Sequence, residues 1–181
     1  MNIEIISGSA REKSITVRAA YAVQNWFRSH TSHNIHIIDC REYQLPWMER
    51  VFNSLENTPD EWKPLFNRIF NADAFIFVTP EYNGSYSPAL KNMVDHFPKL
   101  LHKPLGIVTA SDGKLGGMRA AQQLILLGAG LFTIVSPQLL LVPTIEQKLD
   151  KKGHVIDPSF EKSIHNFASE YLWLAEKLAA R

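Results

Sequence analysis

The chain has 181 residues, a net charge of +1 and 45% hydrophobic residues, which fits one soluble globular domain and excludes intrinsic disorder. Nineteen Lys and Arg residues against eighteen Asp and Glu residues give no positive field that would attract a nucleic-acid backbone or an anionic membrane. We therefore expect residues 1–181 to form a single domain that has neither nucleic acid nor a membrane as a partner.

Cysteine usage and the N-terminus predict a cytoplasmic protein. The single cysteine, Cys40, cannot form an internal disulfide or a cysteine-rich zinc site, and no metal site is predicted. The first segment carries Glu4 and lacks the basic flank and unbroken apolar stretch of a signal peptide, so we expect no export.

Hydrophobic periodicity divides the chain into alternating strands and helices. Short runs rich in branched apolar residues predict strands, and apolar residues spaced three and four apart predict amphipathic helices. In chain order we predict strand 2–7, helix 14–29, strand 33–39, helix 58–70, strand 73–79, helix 87–97, strand 105–110, helix 115–127, strand 138–142 and helix 160–178.

The third predicted strand indicates how these elements are arranged. Residues 75–78 are all apolar, which is typical of a parallel strand covered by helices on both faces of the sheet. Open parallel sheets of this α/β class bind ligands at the carboxyl ends of their strands. We therefore expect function to lie in the loops 8–16, 80–88 and 110–117, with the long connection 40–57 as a lid or part of the rim.

The first loop, residues 8–16, leads from the first strand into the first helix. It carries the hydroxyls of Ser9, Ser14 and Thr16 together with Arg11. Hydroxyls, an arginine and the free N–H groups of a helix N-terminus are groups that bind phosphate, and we predict a phosphate site here. The alternative is an ordinary helix cap by Ser14 beside a solvated arginine.

The second loop, residues 79–88, carries more polar groups than a connection requires. Asn83-Gly84 is a turn dipeptide and Ser87-Pro88 is a helix start, which leaves residues such as Glu81 and Tyr82 unexplained. Backbone amides at a polar edge and a tyrosine at a face or rim suit a planar heteroaromatic ligand. This loop is therefore predicted to hold a ring system.

The third loop, residues 110–117, contains three glycines just before a helix. Gly113, Gly116 and Gly117 indicate either that a ligand lies against the backbone or that the turns need positive φ, and the sequence favours neither. Three such loops on one rim indicate a nucleotide with a planar ring and with its phosphate on the first loop.

Together the loops resemble the NADPH-dependent FMN reductase family, which includes quinone, azo-dye and chromate reductases. The resemblance spans nearly the whole chain, and its middle motif is very specific. The matching residues are Gly8-Ser9-x-Arg11-x-x-Ser14, Pro80-Glu81-Tyr82-Asn83-Gly84-Ser85-x-x-Pro88-x-Leu90-Lys91-Asn92-x-x-Asp95 and Ser111-x-Gly113-x-x-Gly116-Gly117-x-Arg119. The resemblance implies a flavodoxin-like three-layer sandwich, with a five-stranded parallel sheet in the order 2-1-3-4-5 and helices on both faces.

The resemblance also implies a bound FMN. Its phosphate is expected in the first loop, where Thr16 replaces the asparagine usual in the family, and its isoalloxazine ring along the second loop, with the third loop on the ring's other side. The implied cofactor-binding residues are Ser9, Arg11, Ser14, Ile15 and Thr16; Pro80, Glu81, Tyr82, Asn83, Gly84 and Ser85; and Ser111 and Gly113.

The implied activity is that of an oxidoreductase. NADPH or NADH would pass hydride to bound FMN, and the electrons would move on to a flavin, quinone or similar small acceptor. Because the flavin carries this chemistry, no catalytic side chain is predicted. The alternatives are an FMN-binding electron carrier and a redox-sensing regulatory protein, neither of which has turnover of its own.

The helix 115–127 predicts self-association. It has few charges after Arg119 and carries Met118, Leu124 and Ile125 among its apolar residues, more than a monomer is expected to bury. The family's habit of forming dimers and tetramers adds to this, so we expect a homodimer or homotetramer.

Overall fold

A parallel sheet with helices on both faces forms the body of the protein. The computed structural model describes residues 1–179. Its strands are β1 (Asn2–Ser7), β2 (Asn34–Asp39), β3 (Ala74–Pro80), β4 (Pro104–Ala110), β5 (Ile134–Val135) and β6 (Leu140–Val142). Its α-helices are α1 (Val17–His30), α2 (Lys63–Asn71), α3 (Pro88–Asp95), α4 (Met118–Gly130), α5 (Ile145–Lys148) and α6 (Glu161–Ala179). Short 3₁₀ turns, Asp60–Trp62 and Pro158–Phe160, precede α2 and α6.

The strand order is β2-β1-β3-β4-β5, and β6 also pairs with β4. All these pairings are parallel; Ile6 of β1, for example, lies beside Ile38 of β2 and Phe77 of β3. The predicted flavodoxin-like order 2-1-3-4-5 is therefore confirmed.

Two strands share the fifth position in the sheet. Ile134 of β5 pairs with Pro104 at the beginning of β4, whereas Leu141 of β6 pairs with Thr109 near its end. Pro137 lies between β5 and β6 and has no N–H to donate to a continuous ladder. The sequence predicted one strand at 138–142, which agrees with β6 but misses the two-residue β5.

The core lies on both faces of the sheet. Alternate side chains of β3 point to opposite faces, so that Ile76 packs in the cluster formed with α1 and α6 and Phe77 packs in the cluster formed with α2, α3 and α4. This two-sided burial is what the all-apolar run 75–78 predicted. Within residues 1–179, no helix is both long enough and apolar enough to cross a membrane.

The predicted helices all form, with shifted ends. The clearest shift is in α1, which begins at Val17 instead of residue 14 because residues 11–14 form a tight turn in which the Ser14 N–H donates to the Arg11 carbonyl at 3.0 Å. Helix α4 likewise begins at Met118 and extends to Gly130, three residues beyond the predicted end. The later starts of α1 and α4 lengthen the loops at the carboxyl edge of the sheet.

Candidate functional site

A cleft of about 320 Å³ opens at the carboxyl ends of β1, β3 and β4. The chain passes from β1 to β2 on one side of β1 and then returns to β3 on the other side, so the strand order reverses at this point. Ligands of open α/β sheets bind at such points. The cleft is lined by Ser9, Arg11, Lys13, Ser14, Ile15, Thr16, Pro80, Glu81, Tyr82, Ala110, Ser111, Asp112 and Glu146.

The first loop brings polar groups to the N-terminus of α1. Ser9 and Thr16 are almost fully buried, and the hydroxyl of Ser14 is buried with no hydrogen-bond partner in the described residues. Helix α1 begins after Thr16, and within residues 1–179 the side chain of this N-cap residue makes no capping hydrogen bond. The interpretation of Ser14 as an ordinary helix cap is therefore wrong, and its hydroxyl remains available in the wall of the cleft.

A hydrogen bond connects the first loop to the second loop. The Ser87 hydroxyl donates a hydrogen bond to the Gly8 carbonyl and accepts one from the Leu90 N–H, 3.1 Å away, so the predicted cap of α3 is confirmed. Gly8 is needed here because a Cβ atom would lie 2.8 Å from Cβ of Leu90. The close contact between β1 and α3 fixes the position of both loops.

The second loop begins with a two-residue hairpin. Tyr82 and Ser85 exchange two backbone hydrogen bonds of 2.8 and 3.0 Å. Between them Asn83 and Gly84 have φ of 50° and 81°, the left-handed pair that a type I′ turn requires. The Asn83-Gly84 turn predicted from the sequence is thus present, and it lies beside the cleft.

The glycines of the third loop divide into two kinds. Gly116 and Gly117 have φ of 61° and 85°, and a Cβ atom on Gly117 would lie 2.8 Å from Cβ of Thr109. Gly113 has no positive φ, and a Cβ atom there would meet only the Ser111 hydroxyl, at 3.7 Å. Backbone geometry therefore explains Gly116 and Gly117, whereas Gly113 leaves open space above its backbone.

Charged groups of both signs surround the cleft. The Arg11 guanidinium lies over the Tyr82 ring, and two of the carboxylates already have partners. Glu81 pairs with Arg119, and Glu146 of α5 accepts a 2.8 Å hydrogen bond from Arg18. Glu146 was not predicted, because nothing in the sequence shows that α5 reaches the N-terminus of α1.

Most of the predicted site residues are brought together here. Nine line the cleft: Ser9, Arg11, Ser14, Ile15, Thr16, Pro80, Glu81, Tyr82 and Ser111. The other four, Asn83, Gly84, Ser85 and Gly113, lie in the turns that continue its walls. Sequence reasoning missed Lys13, Ala110, Asp112 and Glu146, of which the first three neighbour predicted residues in the same loops.

The single cysteine lies outside this cleft. Cys40 follows β2, is 4% exposed and has its Sγ atom 3.8 Å from Sδ of Met93 in α3. Burial, with a smaller contribution from the Asp39 carboxylate, raises the pKa of the Cys40 thiol to about 12. This thiol is protonated at physiological pH and is a poor nucleophile.

Comparison with known proteins gives a consistent family. A family model described as NADPH-dependent FMN reductase matches residues 1–147. An NAD(P)H-dependent FMN reductase of Schizosaccharomyces pombe is 32% identical over 170 residues, which cover 90% of this chain and 82% of that protein. A quinone reductase of Pseudomonas putida is 30% identical over 125 residues, covering 66% of this chain and 64% of that protein.

Solved structures agree on the fold. FerB of Paracoccus denitrificans, described as a flavoenzyme NAD(P)H:acceptor oxidoreductase, superposes with a TM-score of 0.81 over 97% of each chain at 23% sequence identity. At that identity the likeness concerns the fold.

Proposed function

Because the chain belongs to the NADPH-dependent FMN reductase family, we propose that it acts as an FMN-dependent NAD(P)H oxidoreductase and that its cleft is the FMN site. The observation that carries this proposal is the buried, unpartnered Ser14 hydroxyl at the uncapped N-terminus of α1. A buried hydroxyl without a partner costs free energy unless a ligand bonds to it.

The first loop fits a phosphate group. The N-terminus of the 14-residue helix α1 favours an anion through the helix dipole and through its free backbone N–H groups. Ile15 and Thr16 directly precede this helix, so their backbone N–H groups are placed to contribute. Ser9, Ser14 and Thr16 supply hydroxyl donors, and Arg11 supplies a charge-assisted hydrogen bond. These residues would hold the phosphate and leave the ring to the other end of the cleft.

The second and third loops fit the ring. Pro80, Glu81 and Tyr82 of the second loop and Ser111 of the third loop line the cleft. The open space above Gly113 allows a flat group to approach the backbone. When bound, FMN accepts hydride from a reduced nicotinamide and supplies electrons to a second small molecule. The residues of the chain bind and orient, and we assign no side chain as an acid or base.

Both substrates are small molecules under this proposal. NADPH or NADH is the donor, and a flavin, quinone or similar planar compound is the acceptor, as the names of the relatives indicate for those proteins. The cytoplasm, with its supply of reduced nicotinamide, is the proposed location, and the buried thiol of Cys40 suits it.

A second copy of the chain is the proposed partner of α4. The exposed face of this helix carries Met118, Gln122, Ile125 and Leu126, with no charge after Arg119. Leu126 is 66% exposed, and the glutamine amides on this face can pair with their own copies across a two-fold axis. Leu124, in contrast, is fully buried in the core and takes no part in this face.

Flavin titration and steady-state assays test the proposed function together. FMN fluorescence should be quenched on binding, and the loaded protein should oxidise NADPH or NADH in the presence of a panel of flavins and quinones. Absence of FMN binding contradicts the proposal. Binding without rapid reduction by either nicotinamide would instead identify an electron carrier or a redox-sensing protein.

A further inference from the structure

Arg119 joins the second loop to α4 at three points. Its backbone N–H donates to Oε2 of Glu81 at 3.2 Å, and its Nη1 donates to Oε1 of the same carboxylate at 3.4 Å. Its aliphatic stem lies over the hairpin, since a Cβ atom on Gly84 would be 3.6 Å from its Cδ atom. One residue in the first turn of α4 thus contacts both the beginning and the tip of the loop.

The Glu81 carboxylate is committed to this contact. Its side chain is 19% exposed, and both of its oxygens accept hydrogen bonds from Arg119. A carboxylate at the N-terminus of a helix is also stabilised by the helix dipole, and α4 has no cap from its own N-cap residue, Gly117. Glu81 therefore serves as the cap of α4, supplied by another loop.

The beginning of α4 is a firm support for such a contact. Thr109 of β4 donates its hydroxyl hydrogen to the Gly116 carbonyl at 2.7 Å, and Gly117 packs directly against Thr109. Arg119 therefore holds the second loop relative to β4, the strand that carries the third loop. The two loops proposed to hold the ring are connected through this one residue, by its backbone N–H and its side chain.

We propose that Arg119 is a positioning residue, which holds the hairpin 82–85 at the ring end of the cleft and so fixes the orientation of bound flavin. This inference rests on the proposed FMN site. A two-residue hairpin is only marginally stable alone and needs an outside contact to keep one position. The Arg119 side chain is 66% exposed, so its ion pair adds little to the stability of the fold, and the effect of the guanidinium should be on orientation.

The test compares Arg119→Met, which keeps the stem and removes the guanidinium, with Arg119→Lys, which keeps a cation. Arg28→Met is the matched control, because Arg28 is an exposed helical arginine in α1, outside the cleft. At saturating FMN, Arg119→Met should lower the rate constant for flavin reduction at least fivefold, since small misplacements of reacting groups are costly. Arg119→Lys should recover part of this loss.

A second readout does not depend on turnover. The visible circular dichroism of bound FMN reports the surroundings of the ring, and it should change in Arg119→Met but not in Arg28→Met. The ratio of FMN to riboflavin affinity should stay constant, because the phosphate end is untouched. If the reduction rate and the dichroism of Arg119→Met both match the control, Arg119 has no positioning role. If the wild-type protein does not bind FMN, the proposed function itself fails.

A double-mutant cycle separates positioning through Glu81 from a general effect of charge. Glu81→Gln and Arg119→Met should each slow flavin reduction, and the loss in the double variant should be smaller than the sum of the two, because both disrupt the ion pair between these side chains, although Arg119→Met leaves the backbone N–H donor to residue 81 in place. Fully additive losses would overturn the inference, since they would show that the two residues act independently.

Discussion

The guanidinium carbon of Arg11 lies 4.9 Å from the centroid of the Tyr82 ring. This contact joins the loop proposed to bind the phosphate to the loop proposed to hold the ring, across the point where the strand order reverses. A cation over an aromatic face contributes about 0.5–1 kcal/mol at an exposed site. Arg11 is therefore partly oriented before any phosphate arrives.

Removal of the Arg11 guanidinium should weaken FMN binding selectively. We expect Arg11→Ala to cost roughly 1.5–3 kcal/mol of FMN binding free energy, the scale of a charge-assisted hydrogen bond. Riboflavin lacks the phosphate and should bind the variant and the wild type about equally. Fluorescence titration with both ligands measures the difference. Equal FMN affinity in the two proteins would show that Arg11 does not bind the phosphate.

The second loop should control the rate of flavin reduction. Tyr82→Ala removes the ring that lines the cleft, and Asn83→Gly removes the asparagine side chain. Glycine is chosen because Asn83 has a φ of 50°, at which alanine would add strain. Both variants should slow bleaching of FMN by NADPH in stopped flow, because loops at the rim carry function while strands carry packing.

The comparison must separate occupancy from chemistry. Rates are therefore measured at saturating FMN, and thermal unfolding is followed on the same samples. Wild-type reduction rates combined with melting several degrees lower would mean that the hairpin is structural, and the placement of the ring along it would be wrong.

The sequence predicted the strands and the loops better than it predicted contacts within the site. The run 75–78 indicated a two-sided parallel sheet because such burial leaves no polar positions. In contrast, the contact between Glu81 and Arg119 joins residues that are 38 positions apart in the sequence, and local sequence patterns do not predict contacts over that distance. Ser14 was a reasonable candidate for a helix cap by residue type, but the tight turn from Arg11 to Ser14 delays the helix to Val17.

Cys40 should not take part in turnover. With a thiol pKa of about 12, its thiolate fraction at pH 8 is roughly a thousandfold lower than that of an exposed cysteine. We expect Ellman's reagent to modify the native protein very slowly and the denatured protein rapidly, and Cys40→Ala to keep FMN reduction within about twofold of wild type. Rapid modification of the native protein, accompanied by loss of activity, would contradict this expectation.

Self-association should depend on the exposed face of α4. Leu126→Glu places a charge at a side chain that is 66% exposed, so it should convert an oligomer into folded monomers by adding a desolvated carboxylate to the interface. The matched control is Ile156→Glu, because Ile156 is 53% exposed and lies outside α4. Leu124 is unsuitable for this test, since a charge at a fully buried position would disrupt the core.

Sedimentation velocity at micromolar concentration should show a dimer or larger for the wild type and for Ile156→Glu, and a monomer for Leu126→Glu. Circular dichroism on the same samples should confirm that all three proteins are folded. A monomeric wild type would eliminate the proposed assembly, and an oligomeric Leu126→Glu would move the interface away from α4.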